Sequence, residues 1–215
     1  MPDQATAMPG VQAAVRPTSV RQMYLALFES MSERDCKPDA ADAAARWLLD
    51  QLDAAEPARS TLPHGADAFG AWTAAHHDLV GARYQQYLGQ RKAGAPRRFF
   101  SNKAHALYFL KGVAPTKLVD GAWLFGLLKH WERGALRPLI TTYLEELGNG
   151  VPEKNHVVLF QQLIDSHGCT RWQNLPEEYF VQGLIQLALA YNADRFLPEL
   201  IGYNLGYEQL PLHLC

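Results

Sequence analysis

The chain has 215 residues, 20 Lys+Arg against 22 Asp+Glu for a formal charge of −2, and a hydrophobic fraction of 48%. That length can bury one sizeable core. The near-neutral balance gives no global electrostatic reason to expect nucleic acid or an anionic membrane as partner.

Cys36, Cys169 and Cys215 are the three cysteines. They are far apart, with neither zinc-ligand nor disulfide spacing, so a reducing cytoplasm is the expected compartment. Residues 1–18 carry Arg16 as their one basic residue and have no continuous apolar stretch. They read as a flexible tail rather than a signal peptide, and no run of about 18 apolar residues marks a membrane span.

From there on the period is helical. Val20, Met23, Tyr24, Leu27, Phe28 and Met31 make one apolar face after Ser19, a suitable N-cap. The Ala-rich stretch Asp39–Ala54 sets Trp47, Leu48 and Leu52 on one side, and Glu56–Gly65 reads as a linker. A long helix is expected from Asp67 to about Gln90, with Phe69, Trp72, His76, Leu79 and Val80 facing in, before Ala93–Arg98 breaks it. Further helices are expected at Phe99–Val113, Thr116–Glu132, Ala135–Leu147, Pro152–His167, Glu177–Tyr191 and Phe196–Leu214. Several carry a proline at or near the first turn, where its missing N–H costs nothing. The expectation is an all-α chain of about nine helices. It forms a single helical domain over 19–215, with 19–66 as peripheral helices and linker and 67–215 as the bundle core.

Polar residues break the apolar stripes at a few positions. In Thr116–Trp131 the inward stripe Trp123, Leu124, Leu127, Leu128, Trp131 extends backwards to Asp120. In Pro152–His167 the stripe Leu159, Phe160, Leu163, Ile164 is headed by His156, with Glu153 three residues before it. Glu146 follows Leu139 and Tyr143 on the inner face of its helix, whereas its neighbour Glu145 follows Pro138 and Thr142. An inward carboxylate or imidazole costs several kcal/mol unless it is paired or bound to a metal. Carboxylates from neighbouring helices with a His in E-x-x-H spacing are how helical bundles build di-iron and related sites, and this donor mixture suits iron or manganese better than calcium. The bland reading of each residue alone is a helix cap or a hydrogen-bonded core histidine.

The runs LVDGAWLFGLL (Leu118–Leu128), LEELGNGVPEKNHVVLF (Leu144–Phe160) and ELIGYNLGYEQLPLH (Glu199–His213) resemble the iron-containing redox enzymes of the haem-oxygenase-like superfamily. The resemblance covers roughly Phe99 to the C-terminus. It implies a haem-oxygenase-like multi-helix bundle and oxidation of a small organic substrate by O₂ at a non-haem iron centre, di-iron in the complete enzymes. By the same resemblance Glu146 and His156 correspond to iron ligands of the second ligand helix. Asp120 falls at the first-helix carboxylate, where Glu is commoner. Glu153 matches no ligand position and stays a reserve on spacing alone. The family completes its site with a later helix bearing an H-x-x-x-D element, which does not follow His213 here. The expectation is therefore a bundle incomplete at its C-terminal end, an amino-terminal portion whose exposed flank favours a homodimer.

Glu153, Glu208 and His105 are candidates for orienting the ligands through hydrogen bonds. His76, His77 and His130 read as ordinary bundle residues, and Cys169, in a turn, lacks the basic surroundings of a nucleophile. The APRR segment is too short for a nucleic-acid surface, and no Walker A, GxGxxG or GxSxG motif occurs. The competing reading from another class is a non-catalytic helical scaffold, in which Asp120 and Glu146 pair with Lys or Arg.

Overall fold

Ser19 and Gln22 open the first helix with a reciprocal cap: the Gln22 N–H donates to Ser19 Oγ at 3.2 Å, and the Ser19 N–H donates to Gln22 Oε1 at 3.1 Å. The computed structural model describes residues 19–33, 38–55 and 61–208. The expected tail at 1–18, the start of the linker, and Cys36, His213 and Cys215 lie outside the described residues.

Eight α-helices and no strand occur among the described residues: α1 (Val20–Glu33), α2 (Pro38–Ala55), α3 (Phe69–Lys92), α4 (Lys103–Lys117), α5 (Arg137–Glu146), α6 (His156–Ser166), α7 (Val181–Tyr191) and α8 (Leu197–Tyr207). None is long and apolar enough to cross a membrane.

The core is organised around α7. Seven of its eleven residues are buried, Leu184, Leu187, Ala188 and Leu189 among them. Packed on it are α1, α2, α4 and the 3₁₀ segment Ala122–His130. Tyr24 of α1 is fully buried in an aromatic cluster, stacked on Phe28 at 5.7 Å and edge-on to Phe180 at 5.3 Å and Trp172 at 6.1 Å. From α2 come Ala41, Ala44, Ala45 and Leu48.

Two expectations change here. The helices at 19–55 are not peripheral, because α1 and α2 supply part of the central core. Conversely, α3 is helical as expected but has no buried residue. Its stripe packs mainly on itself: Trp72 lies 4.3 Å from His76 and 6.5 Å from Phe69, and Leu79 is 49% exposed. An apolar stripe states that a helix can be covered, not that a partner is present.

The expected helix Thr116–Glu132 is also redrawn. The α-helix ends at Lys117, and Gly121 adopts φ +78°, a left-handed conformation that stops helix propagation. The chain then tightens into 3₁₀ geometry, with i→i+3 bonds such as Leu124 N–H to Gly121 C=O at 3.0 Å. A period of three keeps Trp123, Leu124 and Leu127 buried but turns Leu128 and Trp131 outward, the latter 77% exposed. This segment lies tightly on α7: a Cβ added at Gly126 would sit 2.3 Å from the Ala190 carbonyl oxygen.

Candidate metal centre

Two chain reversals bring the site together. The first is the turn between α4 and the 3₁₀ segment, which holds Asp120. Its residue is only 7% exposed, and one carboxylate oxygen, Oδ2, accepts from Lys117 Nζ at 2.8 Å. The other, Oδ1, is buried and has no hydrogen-bond partner. A buried carboxylate oxygen without a partner carries a desolvation cost of a few kcal/mol.

Glu146 closes α5, directly against that turn. A Cβ at position 121 would come within 2.9 Å of Glu146 Cβ and 3.1 Å of its Cγ. Glycine there serves two needs at once, the left-handed backbone and the close approach of the two acid-bearing segments.

The second reversal follows at Gly148 (φ +67°) and Asn149 (φ +52°). An added Cβ at Gly148 would meet the Lys154 carbonyl carbon at 2.6 Å, so the loop folds tightly back on itself. Asn155 then caps α6 by accepting from the Val158 N–H at 3.1 Å. That cap sets His156 at the first position of α6, where its Nδ1 reaches Glu146 Oε2 at 2.5 Å.

One ligand atom each from Asp120, Glu146 and His156 lies within 4.8 Å of the other two. The setting is graded rather than dry. The Asp120 side chain is almost fully buried, that of Glu146 is 14% exposed and that of His156 is 52% exposed. The expected inward stripe of α6 is corrected accordingly: Leu159 and Leu163 are 44% and 39% exposed, and Ile164 is its one buried residue.

The charges nearby respond to one another. Burial pushes the Glu146 carboxyl above its ordinary range, the facing His156 pulls it back, and Asp120 pushes it up again. Glu208, exposed as a residue, is raised first by partial burial and then by repulsion from Glu146 and Asp120. Lys117 loses some of its preference for charge to burial, but bonding and attraction to Asp120 and Tyr207 more than restore it. Its ammonium also sits 5.8 Å from the centre of the Tyr207 ring. Tyr207 in turn packs on Trp123 at 5.1 Å and stacks on Tyr203 at 5.5 Å, an aromatic wall on one side of the acids.

The remaining candidates are placed differently. Glu153 is exposed in the 3₁₀ turn Pro152–Lys154 and is not one of the converging groups. His105 is exposed in the first turn of α4, its Nδ1 within 2.9 Å of Ser101 Oγ, and is likewise not among them. Glu208 shares the electrostatic field of the site without joining the cluster. Lys117, Gly121 and Gly148 went unread in the sequence. The signal for Lys117 was present, a lysine three residues before an acid at the end of a helix.

The donor set fits a transition metal. Two carboxylates and an imidazole suit iron or manganese, and the unpartnered Asp120 Oδ1 is an acceptor that a cation would satisfy. A search of curated proteins and a search of solved structures each returned no significant match. A family model described as iron-containing redox enzyme matches residues 107–214, half of the chain, from the second turn of α4 through both reversals. The chain belongs to that family of iron-containing redox enzymes.

Proposed function

We propose that the protein is an oxidoreductase that uses O₂ to oxidise a small organic substrate, with Asp120, Glu146 and His156 holding one non-haem Fe(II). The observation that carries this reading is the buried, unpartnered Oδ1 of Asp120, within a cluster whose three ligand atoms lie within 4.8 Å of one another. Fe(II) bound there would supply a Lewis acid and an electron donor towards O₂.

The chain's own groups divide the rest of the work. Glu146 and His156, in contact at 2.5 Å in the free protein, would instead present an oxygen and a nitrogen to the metal. Lys117 donates to Asp120 Oδ2 in the metal-free protein and would be repelled by a bound cation. Trp123 and Tyr207 would keep water from the Asp120 side. The exposed edge of His156 leaves that side open to substrate. A reducing cytoplasm is the compartment we assign, because it keeps iron ferrous.

A scaffold reading has its own support, since the Lys117–Asp120 and Glu146–His156 pairs can be purely structural. Anaerobic thermal unfolding separates the two readings. Fe(II) at a hundredfold excess over its dissociation constant adds about 2.7 kcal/mol, which raises the midpoint by roughly 5–10 °C for a chain of this size. An unchanged midpoint with Fe(II) and with Mn(II) would leave the scaffold standing.

A further inference from the structure

The near-neutral total conceals a strong segregation of charge. Residues 79–116 hold seven of the 20 Lys and Arg and none of the 22 Asp and Glu, so the remainder carries thirteen cations against all the acids. Within that stretch lies a cavity of about 410 Å³ between the last turns of α3 and the loop after it. Arg83, Arg91 and Arg98 line it with Gln86, Tyr87 and Gln90. None of the ion pairs among the described residues involves any of the three arginines. Arg91 is fixed in place by donating to the Ala95 carbonyl, and Arg98 lies over the Phe99 ring at 5.4 Å. Three guanidinium groups with neutral amide and phenol donors, and no carboxylate among them, describe an anion site suited to phosphate.

Beside the cavity stand apolar side chains that water should not favour. Phe99 is 60% exposed, Phe100 41% and Phe109 49%, with Phe100 and Phe109 packed on each other at 5.0 Å. Phenylalanines have no polar atom to satisfy in solvent, and this cluster adjoins Arg97, Arg98 and Lys103. The rings pack on one another at 59° instead of offering open parallel faces for base stacking. Cations beside an exposed apolar cluster match the chemistry of an anionic lipid surface, where phosphate lies above hydrocarbon.

We propose that this face docks on an anionic lipid bilayer, with a lipid phosphate in the cavity formed by Arg83, Arg91 and Arg98, and with Phe99 and Phe100 entering the acyl boundary. The surface is independent of the metal centre. It runs against the expectation of no membrane partner, which rested on charge averaged over the whole chain.

The test is co-sedimentation of the full chain with vesicles of phosphatidylcholine alone or mixed with phosphatidylserine. Binding should require phosphatidylserine and weaken with added salt. The double variant Arg83→Gln/Arg98→Gln should lower the partition coefficient roughly thirtyfold, and Phe99→Ser/Phe100→Ser roughly tenfold. Because Arg83 is exposed on α3 and Arg98, Phe99 and Phe100 are exposed in the loop after it, these variants should keep the wild-type unfolding midpoint, so lost binding is not lost folding. The proposal is overturned if anionic vesicles are not bound, or if the variants bind as well as wild type. It is equally overturned if a single-stranded DNA oligonucleotide is bound more tightly than the vesicles.

Discussion

The bundle around α7 and the arm formed by α3 are both helical and both bear an apolar stripe, yet they are held by different means. Leu184 and Leu187 of α7 are fully buried, whereas α3 buries nothing and its rings lean on each other. The contrast teaches that periodicity fixes the type of element, while burial is fixed by what comes to cover it. It also divides the tasks. The elements packed on α7 aim Asp120 at the ligand atoms of Glu146 and His156, and the arm with the loop after it carries Arg83, Arg91 and Arg98, which make no ion pair among the described residues.

The sharpest way to break this comparison is to truncate matched leucines. Leu187→Ala should cost about 2–5 kcal/mol in urea unfolding, through lost transfer energy and the cavity left behind. Leu79→Ala, on the half-exposed face of α3, should stay within about 0.5 kcal/mol of wild type. Similar losses at both positions would mean that α3 is covered in solution.

Gly121→Ala comes next. The new methyl would need a left-handed backbone and would press on Glu146, so a loss of about 1–3 kcal/mol is expected, with iron affinity falling alongside. Retained affinity in a destabilised variant would show that the approach of α5 to the turn does not set the site.

Lys117→Met should act in the opposite direction on metal. Removing the ammonium frees Asp120 Oδ2, so iron should bind up to about tenfold more tightly; the lysine side chain is 41% exposed, and screening limits the gain. The metal-free protein should be less stable, because a buried carboxylate loses its counter-charge. Unchanged affinity would argue that Lys117 does not compete for that oxygen.

The smallest effect is expected at Asp194, which bonds Lys129 at 2.5 Å and His130 at 2.6 Å. Lys129 and then His130 hold its carboxyl below the usual range. A depressed carboxylate stabilises the fold above its unfolded pKa, and the benefit disappears as pH falls through the folded one. Asp194→Asn should therefore lower the midpoint slightly at neutral pH and not at all in strong acid. A difference that grows on acidification would contradict this assignment.

Much of this was legible in sequence. Ser19 announced its helix, the apolar period marked nearly every other, and the positions of Leu139 and Tyr143 singled out Glu146 over Glu145. The route to the other two site residues was different from the one the stripes suggest. Asp120 sits in a turn rather than on an α-helical face, and His156 is half-exposed at a helix start, held by the Gly148 reversal and the Asn155 cap. Long-range reversals of this kind leave no periodic trace. A 3₁₀ segment of nine residues differs from an α-helix by little more than half a residue per turn, so Trp131 could not be seen to face solvent. The arginine cluster was hidden by averaging charge over the whole chain.

The most direct measurement is a metal count: anaerobic equilibrium dialysis against Fe(II), followed by elemental analysis of the wild type and of His156→Ala. Three converging side chains holding one ion require about one iron per wild-type chain and a near-complete loss in the variant, with the secondary structure of the variant unchanged. Equal iron in both proteins would contradict the assignment of the site.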